Sequence, residues 1–210
     1  MDEKQKLFDQ FHHHLTKDLK PSEYFNEIDE TTNIFSEVYP FTMLGDLKRI
    51  EQSPQHHPEG NVWNHTMQVV DMAAQNRIKS QEPDVFMWAA LLHDLGKAPT
   101  TKLRKGRITA YDHDKVGAEM AARFLKEFTK DLVFIDKIVK MVRWHMQILY
   151  VVKDLSFANI EKMAEEVSIH EIALLGLCDR LGRQPMSEDK ILEEHKNVER
   201  FIQKCEQFSK

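Results

Sequence analysis

Apolar residues recur at helical spacing through most of this chain, and this pattern limits the fold more than any other feature. After residue 60 one amphipathic segment follows another, and none shows the period-2 alternation that marks a strand. Only 7 Gly and 7 Pro occur in 210 residues, too few for a loop-rich β fold. The sequence therefore predicts an all-α protein with a substantial buried core.

Turn-forming residues bound the predicted helices. The helix over 83–95 begins at Pro83 and ends before Gly96, with a proline beyond it. The stretch 102–112 contains Gly106 and two β-branched residues, so we interpret it as a loop or a short hairpin. Further helices are predicted over 62–79, 114–129, 131–149, 158–167, 169–182 and about 187–207.

The first 52 residues differ from the rest of the chain in charge and in proline content. They are helical in pattern and highly charged, and they are interrupted by Pro21 and Pro40. The following segment, SPQHHPEG at 53–60, has two prolines and a glycine in eight residues and is predicted to be a loop. We interpret 1–52 as a helical segment that packs on the core, and 53–210 as the main domain.

Composition limits the setting and the partners. The formal net charge of −5 gives no general case for nucleic-acid binding. The charged amino terminus lacks the apolar segment of a secretory signal, and the longest apolar run falls short of the roughly 18 residues of a membrane span. Cys178 and Cys205 have no disulfide-framework or zinc-ribbon spacing and are interpreted as core side chains. We expect a cytoplasmic protein without a membrane partner; the amphipathic helix 187–207 leaves a homo-oligomer open.

Several polar side chains share faces with apolar residues on the predicted helices. An ionised aspartate is not buried without a partner, because desolvating its charge costs several kcal/mol. Imidazoles and carboxylates that converge on one divalent cation would have the buried negative charge compensated by that cation. Mixed nitrogen and oxygen ligands suit Mn, Fe, Co, Ni or Zn better than Ca or Mg. The residues concerned are His65, His93, His113, His145 and Asp179.

The pair His93-Asp94 is distinguished by its place at the end of a helix. Neighbouring side chains on a helix point about 100° apart, but in the last turn both can lean past the end toward one ion. Gly96 places the pair there, and the partial negative charge of a helix carboxyl end favours a cation. Facial position alone does not identify a ligand, because His170 and His195 also have apolar neighbours at helical spacing.

These residues resemble the H…HD…D signature of the HD-domain superfamily of metal-dependent phosphohydrolases. The resemblance is greatest to the HD domain attached to bacterial tRNA nucleotidyltransferases, and it covers roughly residues 20 to 185. The string HDLGK at 93–97 matches the central motif. Further similar blocks are KPSEYFNEIDETTNIFSEVYPF at 20–41, HHPEGNVWNHT at 56–66, ALLHDLGKAPTT at 90–101, HDKVGAEMA at 113–121, VRWHM at 142–146 and CDRLGR at 178–183.

The resemblance implies a compact HD-domain helical bundle with a short helical N-terminal extension, and one or two divalent transition metal ions. The implied ligands of the first ion are His65, His93, Asp94 and Asp179. His113 and His145 stand where some family members bind a second ion; general acid catalysis or substrate binding are the alternatives. The nucleotidyltransferase head is absent from these 210 residues, so CCA addition is not implied. The resemblance does imply phosphatase and 2′,3′-cyclic phosphodiesterase chemistry on a small phosphate ester or nucleotide.

We expect catalysis to involve Asp94, Lys97 and His113, with Lys97 binding a phosphate oxygen. Arg143 and Arg180 are expected either to pair with phosphate or to anchor helices through carboxylates. His57 and Glu59 belong to a matching block, where a structural role at the start of the helix is as plausible as a functional one. The basic run over 97–107 is either solvated surface or a flap for a polyanionic substrate, such as a nucleotide or an RNA end.

Two other functions remain open at this point. One is a pyrophosphohydrolase of an alarmone or dinucleoside polyphosphate, which would share the metal site and differ in the shape of its pocket. The other is a non-catalytic HD module that binds tRNA or a nucleotide. The complete ligand set and Lys97 argue against the non-catalytic module, since binding alone does not need them.

Overall fold

A computed structural model describes residues 3–55 and 57–208; His56, in the predicted loop, lies outside them. The first part contains α1 (Glu3–Lys17), α2 (Pro21–Thr31), α3 (Ile34–Glu37), α4 (Thr42–Gly45) and a 3-10 turn (Asp46–Arg49). The middle contains α5 (Val62–Asn76), a 3-10 turn (Arg77–Lys79), α6 (Pro83–Leu92), α7 (Lys97–Thr100), β1 (Thr101–Arg104) and β2 (Arg107–Ala110). The last part contains α8 (His113–Lys126), α9 (Leu132–Trp144), α10 (Gln147–Val152), α11 (Ile160–Glu166), α12 (Ile169–Leu181) and α13 (Glu188–Phe208).

The described residues confirm the helical fold class. Helices α5, α6, α9 and α12 pack on one another and enclose the core, and their apolar side chains form one continuous cluster with those of α8 and α13. The predicted hairpin is present as well, with β1 and β2 paired antiparallel from Thr101 opposite Ala110 to Arg104 opposite Arg107. No helix among the residues 3–55 and 57–208 is long and apolar enough to cross a bilayer.

The N-terminal helices contribute to the same core as the rest of the chain. Phe11 of α1 is fully buried, and its ring contacts those of Phe25, Phe35 and Phe41, with centroids 4.7–5.8 Å apart. Phe41 in turn contacts Phe124 of α8. Residues before 53 therefore pack on the main bundle, while the domain boundary at residue 53 stays a prediction.

The prediction of one helix over 131–149 is wrong. Helix α9 ends at Trp144, and α10 begins at Gln147 after a turn at His145 and Met146. The Nδ1 atom of His145 lies 2.6 Å from the carbonyl oxygen of Val142, so the imidazole bonds to the end of its own helix. Apolar periodicity continues through the turn, which is why sequence did not reveal the break.

Truncation of Phe11 tests whether the N-terminal segment is integral to the fold. We expect Phe11→Ala to lower the free energy of unfolding by about 3–5 kcal/mol, because it leaves a cavity among packed rings. Urea denaturation measures the change. The control is Phe208→Ala, since Phe208 is 72% exposed. Equal stability of the two variants would show that α1 folds apart from the core.

Candidate metal centre

One polar cluster joins three separate parts of the bundle. His65 on α5, His93 after α6 and Asp179 on α12 each offer an atom, and these atoms lie within 4.8 Å of one another. The Nε2 atom of His65 is 3.0 Å from Oδ1 of Asp179, although the two residues are 114 positions apart in the chain. The predicted convergence of these residues is therefore present.

A second cluster lies beside the first. Asp94, His113 at the start of α8 and His145 after α9 also offer atoms within 4.8 Å of one another. The Nε2 atoms of His113 and His145 are 3.3 Å apart. All the residues of the two clusters are buried, none more than 9% exposed. They are His65, His93, Asp94, His113, His145 and Asp179.

The carboxylate of Asp94 connects the two clusters. Its Oδ2 atom lies 3.2 Å from Nε2 of His93 and 3.8 Å from Nε2 of His65. Its Oδ1 atom lies 3.6 Å from Nε2 of His113 and 3.9 Å from Nε2 of His145. Each oxygen therefore faces a different pair of imidazoles, so Asp94 could contribute one oxygen to a cation site in each cluster.

The hydrogen bonds of the histidines fix their tautomers. His93, His113 and His145 each place Nδ1 2.6–2.8 Å from the backbone carbonyl oxygen three residues earlier. A carbonyl only accepts, so we assign the proton to Nδ1, and Nε2 then presents a lone pair. Metal-binding histidines are oriented in the same way.

Without a cation, the assigned tautomers would leave polar atoms unsatisfied. The facing Nε2 lone pairs of His113 and His145 repel unless a proton or an ion lies between them. The Nε2 atom of His93 is buried and has no hydrogen-bond partner, a condition that typically costs about 1–3 kcal/mol. The donor set of imidazole nitrogens and carboxylate oxygens fits a divalent transition metal ion.

The buried aspartates are held in their ionised form. Burial alone would raise the pKa of Asp94, but His93 and Lys97 outweigh it and lower that pKa well below its ordinary value. Arg183 and His65 likewise overcome the effect of burial at Asp179 and lower its pKa. Burial, with His113 and His93 nearby, lowers the pKa of His145 to about 3. Burial would lower the pKa of His93, but Asp94 outweighs it and raises that pKa. The ionised aspartates and the neutral His145 are in the forms that bind metals.

Lys97 is fixed beside the clusters. Its Nζ atom lies 2.7 Å from Oδ2 of Asp94 and donates to Oε1 of Gln52, also at 2.7 Å. The side chain is 13% exposed and borders the cavity, so its charge can reach a bound anion.

The two arginines named from sequence have other partners. Arg143 pairs with Asp114, and Arg180 pairs with Glu194 of α13. These contacts correspond to the helix-anchoring alternative, and neither arginine lines the cavity. Arg183, which the sequence pattern did not reveal, lines it instead and places Nη2 3.2 Å from both oxygens of Asp179. Arg183 lies two residues past the end of α12 and four positions after Asp179, and this spacing was the available signal.

A cavity of about 620 Å³ opens onto both clusters. The hairpin and Tyr111 form one side of it, and Tyr150, Lys153 and Phe157 form another. Asp94, Lys97, His113, His145, Asp179 and Arg183 all line it. A more open depression of about 690 Å³ beside Arg77 and Pro83 includes none of the cluster residues. Of these two depressions, the cavity of about 620 Å³ is therefore the one that gives access to the His and Asp clusters.

Fold and site together define a helical protein whose buried His and Asp clusters could hold divalent metal ions. The sequence model of the HD domain family matches residues 62–184, more than half of the chain. The chain therefore belongs to the HD domain family.

The curated relatives are bacterial proteins named Multifunctional CCA protein. That of Aromatoleum aromaticum is 34% identical over 146 residues, which are 66% of this chain and 34% of the relative. That of Halorhodospira halophila is 34% identical over 97 residues, 46% of this chain and 22% of the relative. That of Actinobacillus pleuropneumoniae serotype 5b is 42% identical over 62 residues, 30% of this chain and 15% of the relative. The chain spans about a third or less of the length of these relatives.

Gly96 brings the two clusters together. A Cβ atom at this position would overlap the carbonyl oxygen of His113 and lie 2.5 Å from the amide nitrogen of Gly117. The turn after α6 therefore packs directly on the first turn of α8, which sets the distance from Asp94 to His113.

We expect Gly96→Ala to force α8 away from the turn, lowering the free energy of unfolding by about 1–3 kcal/mol and shifting the ring resonances of His113. Urea denaturation and NMR measure the two effects. Gly106→Ala is the control: its Cβ meets open space, but its positive φ of 74° costs about 1–2 kcal/mol. The control should leave His113 unshifted. An unshifted His113 in Gly96→Ala would contradict the direct packing of the turn on α8.

Proposed function

We propose that this protein is a metal-dependent phosphohydrolase that hydrolyses nucleotide phosphates, either phosphomonoesters or 2′,3′-cyclic phosphodiesters. The observation that carries the proposal is the buried carboxylate of Asp94, which divides its oxygens between two histidine clusters at a cavity. Membership of the HD domain family supports the reaction class.

His65, His93, Asp94 and Asp179 would hold one ion, and Asp94, His113 and His145 a second. The donor set suits Mn, Fe, Co, Ni or Zn. Such an ion supplies Lewis acidity, which activates water as a nucleophile and polarises a phosphoryl oxygen.

The surrounding side chains have separate roles in this proposal. Lys97 and Arg183 would bind phosphate oxygens, Lys97 as a compact charge and Arg183 through its planar guanidinium. Asp94 would keep the two clusters at a fixed separation. Since Nε2 of His113 faces Asp94 and His145, a ligand role is favoured over that of general acid.

The cavity supports a nucleotide-sized substrate. Its volume of about 620 Å³ lies within the roughly 300–1,000 Å³ of small-molecule sites. Tyr111, Tyr150 and Phe157 border it, and aromatic rings stack on nucleobases. Pyrophosphohydrolysis of an alarmone or dinucleoside polyphosphate would use the same clusters, so substrate tests must include both classes.

A second candidate substrate is the end of an RNA strand. Lys102, Arg104, Lys105 and Arg107 are exposed on the hairpin. Other hairpin residues line the cavity: Thr101, Ile108, Thr109 and Ala110. The guanidinium of Arg104 lies 4.9 Å from the ring centre of Tyr111. Basic groups combined with exposed aromatic rings are typical of surfaces that bind single-stranded nucleic acid. The resemblance to the HD domain of bacterial tRNA nucleotidyltransferases is consistent with an RNA substrate.

Replacement of Asp94 tests the reaction class. We expect Asp94→Asn to lose bound metal, and to lose hydrolysis by more than the roughly 10–100-fold that outer-shell changes cost. The assays are metal analysis and a substrate panel of nucleotides, 2′,3′-cyclic nucleotides and dinucleoside polyphosphates, each with Mn²⁺, Ni²⁺, Co²⁺ or Mg²⁺. Asp136→Asn, which removes a surface carboxylate paired with Lys140, is the control. An active, metal-free Asp94→Asn protein would refute the proposal.

Charge removal on the hairpin separates the two substrate classes. We expect alanine at positions 102, 104, 105 and 107 to raise KM for an oligoribonucleotide ending in a 2′,3′-cyclic phosphate, and to leave KM for the mononucleotide unchanged. The salt dependence of KM should weaken by about 0.7 in log–log slope for each phosphate group that is no longer neutralised. Alanine at the exposed lysines 126, 130, 190 and 196 is the control. An equal effect on both substrates, or none, would favour the mononucleotide.

A further inference from the structure

His65 is oriented by a different group from the one that orients the other three histidines of the two clusters, His93, His113 and His145. Those three place Nδ1 against backbone carbonyls, whereas Nδ1 of His65 lies 2.8 Å from Oε1 of Glu59. The contact is at ion-pair distance, and Nδ1 has no partner that meets hydrogen-bond geometry, whereas Nε2 is hydrogen-bonded to Asp179. The opposite nitrogen, Nε2, faces Asp179 at 3.0 Å and Asp94 at 3.8 Å.

Glu59 is a buried anion with an unusual arrangement of partners. Its side chain is fully buried, and Oε1 also lies 2.8 Å from Nδ1 of His57. Burial raises the pKa of Glu59, but the contacts with His57 and His65 outweigh it and bring the pKa to about 2. The Oε2 atom is buried without a hydrogen-bond partner. Burying a carboxylate in this position costs free energy unless the imidazoles that it contacts compensate its charge.

The local sequence fixes where this carboxylate lies. Asn61 caps helix α5, with its side-chain oxygen accepting from the amide of Asn64 at 2.9 Å. The side-chain amide of Asn64 then donates to the carbonyl oxygen of Glu59 at 3.1 Å. Glu59 is thereby tied to the first turn of α5, which also carries His65.

We propose that Glu59 is a positioning residue that orients His65 for metal binding. It does so by holding the proton on Nδ1 and directing the lone pair of Nε2 toward Asp179 and Asp94. The inference rests on the proposed metal site. A carboxylate beside the second ring nitrogen of a ligating histidine fixes the tautomer and the orientation of the ring. The effect is confined to the cluster of His65, His93 and Asp179.

A merely structural role makes a different prediction. If Glu59 only attaches the loop over 53–60 to α5, its replacement would lower stability and leave metal affinity unchanged. Glu171 provides a matched control, since it is also a buried carboxylate that accepts two hydrogen bonds, from Ser80 Oγ at 2.7 Å and from the amide of Gln81 at 2.8 Å. It is not a member of either cluster.

The first experiment compares Glu59→Gln with Glu171→Gln by competition for Zn²⁺ against a chromogenic chelator. We expect Glu59→Gln to bind its tightest Zn²⁺ ion about 10–100-fold more weakly than the wild type. Glu171→Gln should lose stability only. Equal affinity of the wild type and Glu59→Gln would overturn the assignment of Glu59. A wild type that binds no Zn²⁺ would overturn the proposed function as well.

The second experiment needs no variant and therefore does not depend on Glu59→Gln folding. Long-range ¹H–¹⁵N spectra of the Zn²⁺-loaded wild type report which ring nitrogen of each histidine carries a proton. We expect His65 to be protonated at Nδ1 and to bind Zn²⁺ through Nε2. A His65 that binds through Nδ1, with its proton on Nε2, would overturn the assignment of Glu59 while leaving the metal site in place.

Discussion

The structure depends on the burial of negative charge at Asp94 and Asp179 inside a helical core. Charge in such surroundings is stable only when opposite charge or hydrogen-bond donors surround it. Lys97 and Arg183 supply part of this compensation, and imidazoles from other helices surround the rest. The bundle therefore has a polar centre as well as an apolar core. Helices that are far apart in sequence are held together there, because the buried carboxylates need compensating groups from several of them.

Interrupted helices supply most of the groups at this centre. His93 follows the end of α6, His113 begins α8 and His145 follows the end of α9. At a helix terminus a ring can bond to a nearby main-chain carbonyl and still point away from its own helix. His93 and His145 bond to carbonyls of α6 and α9, and His113 bonds to the carbonyl of Ala110 at the end of β2, so the three imidazoles have the same tautomer. His65, which lies within α5, has no such carbonyl and uses Glu59.

Local signals in the sequence predicted the helical fold and the hairpin, because each has a short-range signature. The set of converging residues was implied by the resemblance to the HD-domain superfamily, since position on a helix face alone does not identify a ligand. Pro83 and Gly96 mark the limits of the α6 region, and Gly106 marks the hairpin turn. The break at His145 was missed since apolar spacing continues across it. Arg183 was missed because α12 is apolar on nearly every face, so its periodicity cannot show which basic residue near its end turns toward the cavity. Orientation of that kind is settled by neighbouring helices, such as α13, whose Glu194 engages Arg180.

The hairpin over 101–110 forms a wall of the cavity yet contributes no fully buried side chain to the core. Segments with few buried contacts can change or open at little cost to global stability. The polar centre, by contrast, is tied to the packing of four or more helices. Sequence changes in the hairpin can therefore alter the rim of the cavity while leaving the His and Asp clusters beneath it unchanged.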